Sequence, residues 1–390
     1  MKNPTFASMG NAVFSSKQKL AILGGGQLGK MMLAKCRQWD VFTKVLDPSP
    51  TAPARLIADD FIVGDLMDYQ TVVDFGQQAD VVTIEIENIN IEALYTLEKQ
   101  GKKVYPKPDT LEIIQSKARQ KQFYADNQLR SSPHKMFAHK PDWKDIETPC
   151  IWKASRFGYD GFGVKKIETQ SEWESIPDVP CILEDCVSIA KEIAVIVSRN
   201  NKGECVSYRP VEMEFHPEAN QVEFVFTPST LNEKQLADSQ KLAEQVAHGL
   251  EHVGLLAVEL FLNDEGTLLI NEVAPRPHNS GHLTIEAATT SQFEQHLRTI
   301  LGLPFGDCRF FHDAIMINLV GATGFQGPVV YQGMDDLLNI SGLHVHLYGK
   351  AETRPMRKMG HITLLGSGID ALRKTAKNVK QQVKVRSDHS

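Results

Sequence analysis

The sequence predicts a mixed fold: an N-terminal α/β domain on a doubly wound parallel sheet, then an α+β region and a small C-terminal unit. Its 390 residues suffice for two or three domains. Apolar strands alternate with amphipathic helices from Lys19 to about residue 115, whereas hairpin-like pairs of apolar runs follow Ser116. The expected ranges are 1–17 for a disordered leader, 18–115 for the N-terminal domain, 116–303 for the α+β region and 304–390 for the C-terminal domain.

The N-terminal elements follow from hydrophobic periodicity and turn residues. The first strand is KLAIL, and a glycine turn joins it to the amphipathic helix QLGKMMLAKCRQW. The next strands are TKVLD, which a proline turn ends, and the short FIVGD. Helices over 68–78 and 91–100 flank the strand in ADVVTIEIENI. Strands and helices that alternate at this spacing form a parallel sheet with helices on both faces.

The later elements have a different texture. A helix starts at KARQKQFYADNQL, and strands follow in CIWKAS, GFGVKKI, CILEDCV and KEIAVIVSRN. YRPVEMEF and QVEFVFTP suggest a hairpin, and a long helix covers roughly 232–253. The run GLLAVELFLNDEGTLLINEVAP is a second hairpin, and the C-terminal unit contains AIMINLVG, HVHLYGK, HITLLG and a final helix.

Charge and cysteine content exclude several classes of function. The net charge of −6 argues against binding to nucleic acid or to an anionic membrane surface, which calls for a basic surface. An anionic ligand must therefore be held by a local cluster of Lys and Arg. The six cysteines form no CxxC pair, a pattern typical of free thiols in a reducing cytoplasm. No segment approaches the ~20 apolar residues of a membrane span.

The glycine turn GGGQLG, Gly24 to Gly29, satisfies G-x-G-x-x-G between a strand and a helix. Asp47 ends the next strand 18 residues later, where a ribose-binding acid of a nicotinamide dehydrogenase would lie. The physics is less specific, because glycines allow close approach and helix-start N–H groups favour any phosphate. A dinucleotide, a phosphorylated metabolite and a purely structural turn all remain open on this motif alone.

The second hairpin carries two acids among apolar residues. An even-numbered loop centred on NDEG pairs Glu259 with Ile270, and Glu272 then becomes the diagonal neighbour of Glu259 on the same face, ~7–8 Å away. An odd loop or a bulge would break that parity. Two inward acids need a compensating cation. Oxygen ligands favour Mg²⁺, or Mn²⁺ in its place, with Asn271 as a further oxygen donor; edge exposure or a salt bridge is the alternative.

The stretch NEVAPRPHNSGH follows that strand directly. Arg276 lies just beyond the expected metal, where its fork of donors suits a transferring phosphoryl group. His278 and His282 are acid–base candidates, although a lone histidine is more often a hydrogen-bonded structural residue. Asn279 and its neighbours offer donors to a second substrate.

Taken together, these motifs resemble the ATP-grasp ligases, and among them the N5-carboxyaminoimidazole ribonucleotide synthetases of purine biosynthesis. The resemblance runs from Lys19 to about residue 375 and rests on LGGGQLGKM, SKARQKQF, WKASRFGYDGFGV, ILEDCVSIAKEIAV, LLAVELF, INEVAPRPHNSGH and RPMRKMGH. It implies an ATP-grasp fold with an N-terminal Rossmann-like (pre-ATP-grasp) domain and a small C-terminal domain. It also implies that GGGQLG receives the phosphate of a ribonucleotide.

The resemblance implies that ATP lies between two α+β subdomains. Lys117 and Lys153 would meet its phosphates, and the loop FGYDGFGV would close over them. A buried strand with a single Lys, as at Lys153, also needs a counter-anion. The backbone of 184–187 would read adenine and Glu192 the ribose. The implied ATP-binding residues are Lys117, Lys153, Gly158, Tyr159, Asp160, Gly161, Phe162, Gly163, Val164, Glu184, Asp185, Cys186, Val187, Glu192, His216, Asn271 and Glu272.

The same resemblance implies the other ligands. Glu259 and Glu272 match the Mg²⁺ ligands, in agreement with the hairpin argument. Arg276, His278 and Tyr159 would take part in the chemistry, with Tyr159 and Asp160 facing the imidazole. The implied ribonucleotide-binding residues are Gln27, Leu28, Glu85, Asn279, Lys350, Arg357 and Lys358, of which the last three form the local cation cluster.

The implied reaction converts ATP, bicarbonate and 5-aminoimidazole ribonucleotide into N5-carboxyaminoimidazole ribonucleotide, ADP and phosphate, by way of carboxyphosphate. A cytoplasmic homodimer is typical of the family. A formate-dependent glycinamide ribonucleotide transformylase of the same fold is the first alternative. A nicotinamide dehydrogenase and a non-catalytic nucleotide-binding module are the others.

Overall fold

The computed structural model describes residues 13–15, 17–156, 163–216 and 221–388. The expected leader over 1–17 falls mostly outside these ranges. The N-terminal elements are β1 (Lys19–Leu23), α1 (Gln27–Gln38), β2 (Phe42–Asp47), β3 (Asp60–Val63), α2 (Tyr69–Gly76), β4 (Val81–Ile84), α3 (Ile91–Lys99), β5 (Lys103–Tyr105) and α4 (Pro108–Ile114). The strands pair in parallel in the order β3-β2-β1-β4-β5, which is the predicted doubly wound arrangement.

Buried apolar clusters lie on both faces of this parallel sheet. One face carries Ala21 and Leu23 of β1 against α2 and α3, and the other carries Leu20 and Ile22 against α1. A parallel sheet is covered by helices on both faces, which explains why its strands read as continuous apolar runs.

The central elements are α5 (Lys117–Asp126), β6 (His134–Phe137), β7 (Cys150–Ala154), β8 (Val164–Ile167), α6 (Gln170–Glu174), β9 (Cys181–Asp185), β10 (Ile189–Arg199), β11 (Cys205–Ser207), β12 (Val211–Phe215), β13 (Val222–Thr227), α7 (Glu233–Gly249), β14 (Gly254–Asn263), β15 (Leu268–Ala274), α8 (Thr284–Ala287) and α9 (Gln292–Ile300). Side chains fix two helix starts. Ser116 accepts a hydrogen bond from the N–H of Arg119, and Asn232 forms a capping box with Gln235.

The C-terminal elements are β16 (Asp313–Val320), β17 (Gly327–Gln332), α10 (Met334–Leu337), β18 (Leu343–Leu347), β19 (Glu352–Thr353), β20 (Lys358–Gly366), α11 (Ile369–Gln382) and β21 (Lys384–Ser387). A small sheet has the strand order β6-β9-β7-β8, and the main path of a large sheet is β15-β14-β10-β12-β13-β16-β20-β18. The large sheet crosses the expected boundary at 303/304, because β13 pairs with β16 through Phe224 and Ile317. No helix in the described ranges is long and apolar enough to cross a bilayer.

Candidate active site

The β14–β15 hairpin places Glu259 directly opposite Glu272. The predicted pairing of Glu259 with Ile270 was therefore wrong, although the shared face was right. The Leu262–Leu268 pair leaves the odd-numbered loop 263–267, and a bulge beyond Glu259 leaves Asn271 unpaired. Each irregularity shifts the register by one residue in the same direction. Because side chains alternate with a period of two, the combined shift keeps both acids on one face and brings them closer.

Three carboxylates share this face without sufficient positive charge. Glu192 is paired with Phe261, two residues from Glu259 on the same side of β14. Burial, then Glu272, then Glu192 raise the pKa of Glu259 to about 8, and burial raises the pKa of Glu192 to about 7. A buried carboxyl group whose pKa is raised by neighbouring carboxylates marks a place where a divalent cation would relieve the repulsion.

The donor set of this face fits Mg²⁺. The acids supply oxygen ligands, and Mg²⁺ commonly binds through one or two carboxylates together with substrate phosphates. Among the described residues no three or more His, Cys, Asp or Glu side chains are already arranged around a metal position. The two hairpin acids match the carboxylate share of such a metal site.

Lys117, Lys121 and Lys153 each lie near a carboxylate of the chain. The Nζ atoms of Lys153 and Lys121 each lie 3.0 Å from a different carboxylate oxygen of Glu184. The counter-anion that Lys153 needs is thus supplied by the chain itself. The Nζ of Lys153 also lies 3.5 Å from Oδ1 of Asn271, and the Nζ of Lys117 lies 3.7 Å from a carboxylate oxygen of Glu272. These contacts join the small sheet and α5 to the hairpin.

The segment predicted to read adenine borders a cavity. Asp185, Cys186 and Val187 line a space of about 840 Å³ that also touches Lys121 and the turn of the hairpin. His216 lies at the end of β12, where its N–H donates to the carbonyl of Gln221 at 2.9 Å.

The predicted phosphate-covering loop is described only at its end. Gly163 has a φ of +75°, which favours glycine, and its carbonyl accepts the N–H of Ala154 at 2.8 Å. Val164 pairs with Lys153 across β7 and β8. The predicted residues Gly158, Tyr159, Asp160, Gly161 and Phe162 lie outside the described residues.

The glycine turn is partly filled by carboxylates of the chain itself. The N–H of Gly25 donates to Asp47 at 2.7 Å, and the N–H groups of Gly26 and Gly29 donate to Glu85 at 2.7 and 3.0 Å. Asp47 also accepts the N–H of Ser49, so it caps a turn. This removes the support for a ribose-binding role of Asp47, and with it for the dehydrogenase interpretation.

Gln27 and Leu28 differ from the glycines beside them. Their N–H groups occupy the first turn of α1, where no carbonyl precedes them at helical spacing, and no hydrogen bond from them is recorded in the described residues. These are the two positions that the resemblance assigns to the ribonucleotide. Burial raises the pKa of the neighbouring Glu85, while the two glycine N–H groups and Arg276 oppose that rise.

Arg276 and His278 lie on the segment after β15. The Nη2 atom of Arg276 lies 2.8 Å from a carboxylate oxygen of Glu87, in the loop after β4. His278 has its Nδ1 2.9 Å from Oγ of Ser280 and 3.6 Å from a carboxylate oxygen of Glu259. Burial, followed by the charges of Arg276 and Lys358, holds the pKa of His278 well below its usual range, so the imidazole is neutral.

Other polar groups of this segment are engaged in structure. The side-chain amides of Asn279 and Asn318 bind each other reciprocally, both at 2.8 Å. The substrate contact predicted for Asn279 would therefore use its backbone, its second side-chain N–H or a remaining lone pair. His282 is buried, lies 3.0 Å through Nδ1 from Nε2 of Gln292 and stacks on His361 at a ring distance of 4.6 Å. These contacts match the expectation for a hydrogen-bonded structural histidine rather than for an acid–base group.

The C-terminal cations form two groups. The Nζ of Lys350 donates to the carbonyl of Lys358 at 2.7 Å, and Lys358 is close enough to Glu259 to oppose the rise of its pKa. Arg357 donates to the carbonyl of Glu352, while burial and then Arg354 lower its pKa. Lys358 thus lies near the acid face with Lys350 beside it, whereas Arg357 is engaged with Glu352, and the joint role predicted for the three cations stays a prediction.

Sequence reasoning missed Lys121, Glu87, Asn318 and Lys30. Lys121 had a local signal, because it lies one helical turn after Lys117 on the same helix. Glu87 stands two residues after Glu85 in EIEN, which is a weaker signal. Lys30 donates to the carbonyl of Leu347 at 2.8 Å, a contact across 317 residues that no local pattern indicates.

Known protein families and curated proteins match this chain over most of its length. Family models match as a ribonucleotide synthetase preATP-grasp domain at 17–115, an ATP-grasp domain at 122–293 and a phosphoribosylaminoimidazole carboxylase C-terminal domain at 314–375. The N5-carboxyaminoimidazole ribonucleotide synthase of Bacillus subtilis is 34% identical over 355 residues, which are 89% of this chain and 91% of that protein. The chloroplastic phosphoribosylaminoimidazole carboxylase of Vigna aconitifolia is 36% identical and covers 90% of this chain, but the chain spans only 65% of its length.

Solved structures agree with these relatives. The N5-carboxyaminoimidazole ribonucleotide synthetase of Thermotoga maritima superposes with a TM-score of 0.89 at 39% identity, covering 95% of this chain and 100% of that one. An N5-carboxyaminoimidazole synthase from Aspergillus clavatus, in complex with ADP and 5-aminoimidazole ribonucleotide, gives 0.85 at 27% identity, covering 94% and 98%.

Proposed function

The chain belongs to the N5-carboxyaminoimidazole ribonucleotide synthase family of ATP-grasp ligases, and from this membership we propose that it carboxylates 5-aminoimidazole ribonucleotide with bicarbonate and ATP. The product would be N5-carboxyaminoimidazole ribonucleotide, an intermediate of purine biosynthesis. The observation that carries the proposal is the direct pairing of Glu259 with Glu272 on a face where Glu259 has its pKa raised to about 8. Such a face calls for a cation, and an ATP-grasp ligase brings one with ATP.

Glu259 and Glu272 would hold Mg²⁺, or Mn²⁺ in its place. Bound there, the ion would neutralise the phosphates of ATP and the charge that develops during transfer. Lys117, 3.7 Å from Glu272, would meet those phosphates from the start of α5. Lys153 would meet them from β7, with Glu184 holding its ammonium group in place at 3.0 Å.

In the first step a bicarbonate oxygen attacks the γ-phosphorus, the bond from that phosphorus to the bridging oxygen breaks, and ADP leaves. Arg276 supplies guanidinium N–H donors to the transferring group, and electrostatic stabilisation of this kind is commonly the largest contribution to catalysis. The resulting carboxyphosphate is labile, so the closed site must exclude water.

In the second step the substrate amine gains the carboxyl group and loses a proton, and phosphate leaves. The carboxyl carbon is delivered directly or as released CO₂. His278 is the candidate proton acceptor, because its neutral ring is fixed by Ser280 beside the acid face. The N–H groups of Gln27 and Leu28, with Lys350, Arg357 and Lys358, would bind the ribonucleotide, and Glu85 would lie beside its sugar.

The test is ADP formation that depends on both bicarbonate and 5-aminoimidazole ribonucleotide, for the wild type and Glu272→Gln. We expect turnover in the wild type and its loss in the variant, with the circular dichroism spectrum retained. Unchanged turnover in Glu272→Gln would contradict the metal assignment. ADP formation that instead requires formate and glycinamide ribonucleotide would favour the transformylase.

We also propose that the protein works as a homodimer in a reducing compartment such as the cytoplasm. The cysteines support the compartment, since all six are free thiols. Light scattering in solution would test the dimer.

A further inference from the structure

We propose that Glu87 is a positioning residue that aims the guanidinium of Arg276 at the transferring phosphoryl group and thereby ties that step to the ribonucleotide site. The inference rests on the proposed function and adds a residue that the motifs did not single out.

The contact is a partly buried ion pair. Nη2 of Arg276 lies 2.8 Å from Oε1 of Glu87, and the two side chains are only 17% and 26% exposed. A second donor of the same guanidinium, Nη1, binds the carbonyl of Pro277 at 3.1 Å. Two held donors leave the planar group little rotational freedom, so the orientation of the guanidinium is defined.

The loop that carries Glu87 is itself held. The backbone carbonyl of Glu87 accepts hydrogen bonds from Nε2 of Gln115 at 2.7 Å and from the N–H of Ile89 at 2.9 Å. An anchored backbone can orient an arginine on another domain, whereas a mobile loop could not.

The loop that carries Glu87 also carries Glu85, a residue of the proposed ribonucleotide site. Glu85, two residues earlier, is bound by the glycine turn through Gly26 and Gly29. Arg276 follows the metal-binding hairpin, so the Arg276–Glu87 bond spans the two halves of the reaction. A ligand that orders the glycine turn and its Glu85 would therefore also steady Arg276.

Nearby charges indicate what happens without Glu87. Arg276 is close enough to Glu85 to oppose the rise of its pKa. Once Glu87 is neutral, Glu85 becomes the competing carboxylate for the guanidinium. The arginine would then turn away from the phosphoryl group, and carboxyphosphate would be made less often and shielded less well.

The test measures kcat, KM for ATP, and the ratio of ADP to carboxylated product. In Glu87→Gln we expect kcat to fall roughly 10- to 100-fold, since small misplacements of a catalytic group have effects of this size. The KM for ATP should change little, and more than one ADP should form for each product. Glu87→Asp should recover part of the loss. Glu92→Gln, an exposed acid on α3, is the matched control.

A double-mutant cycle separates positioning from a merely structural role. Arg276→Lys removes the guanidinium that Glu87 would position. Adding Glu87→Gln to this variant should therefore lower kcat far less than Glu87→Gln lowers it in the wild type. Additive effects, or a variant with wild-type kcat and one ADP per product, would overturn the role of Glu87. A wild type without aminoimidazole-dependent ADP formation would instead overturn the proposed function.

Discussion

Glu184 and Glu259 are buried to nearly the same degree, at 4% and 7% exposure, yet their pKa values move in opposite directions. Burial raises the pKa of both. Lys153 and Lys121 reverse that effect at Glu184, whereas Glu272 and Glu192 add to it at Glu259. Burial alone therefore does not distinguish an acid whose charge is compensated within the chain from one that needs an added cation. The two acids differ in whether neighbouring side chains supply enough positive charge to compensate the buried carboxylate.

The largest expected effect comes from Glu259→Gln. Loss of one metal ligand should lower kcat by about 10²–10³-fold, the range seen when one charge-stabilising group is removed from an active site. The metal-free variant should nevertheless melt at or above the wild-type temperature, since a repelling carboxylate is gone. Turnover assays check the fall in kcat, and a thermal melt in EDTA checks the stability of the metal-free variant. The exposed Glu147→Gln should change neither.

Glu184→Gln should lower the stability of the folded protein, in contrast to Glu259→Gln. It leaves the ammonium groups of Lys121 and Lys153 buried without their anion, and breaking a buried pair in this way typically costs about 3–5 kcal/mol. Urea denaturation at pH 7 in EDTA measures the loss. A variant as stable as Glu147→Gln would show that the lysines find other partners, and the contrast with Glu259 would fail.

The smallest expected effect is the pH dependence of that stability difference. The pKa of Glu184 is lowered in the folded protein from its usual 4.5, so its contribution is complete above pH 4.5 and is lost as the pH falls through the folded value. The gap between wild type and Glu184→Gln should thus be constant from pH 7 to 5 and should narrow in more acidic buffer. Urea melts at several pH values measure it; a gap that widens on acidification would contradict the assigned sign.

The hairpin illustrates how far sequence reasoning reaches. Alternation predicted that Glu259 and Glu272 share a face, and this was right because the total register shift is even. The actual pairing depends on an odd loop and on a bulge at Asn271. Neither has a unique local signal, and the hairpin's other partners are distant in the chain: β14 pairs with β10, and Ile270 of β15 bridges to Ser131.

The glycine turn illustrates a second limit. Its strand–turn–helix form and the parallel sheet were predictable, because both follow from local periodicity and glycine content. The occupants of the turn were not. Asp47 and Glu85 reach the glycine N–H groups only once three strands lie side by side, and Glu87 meets Arg276 across almost 190 residues of chain.

The unbroken ladder from β15 to β18 determines what can move in this enzyme. Glu259 and Glu272 at one end and Lys358, the first residue of β20, belong to one hydrogen-bonded frame of paired strands, which restricts changes in their separation. Any opening for ATP entry and ADP exit would therefore involve the small sheet, which contacts this frame through Lys153 and, just before β6, through the backbone hydrogen bond from Ile270 to the carbonyl of Arg130. The turnover rate would then depend on how readily the contact between Lys153 and Asn271 breaks and re-forms.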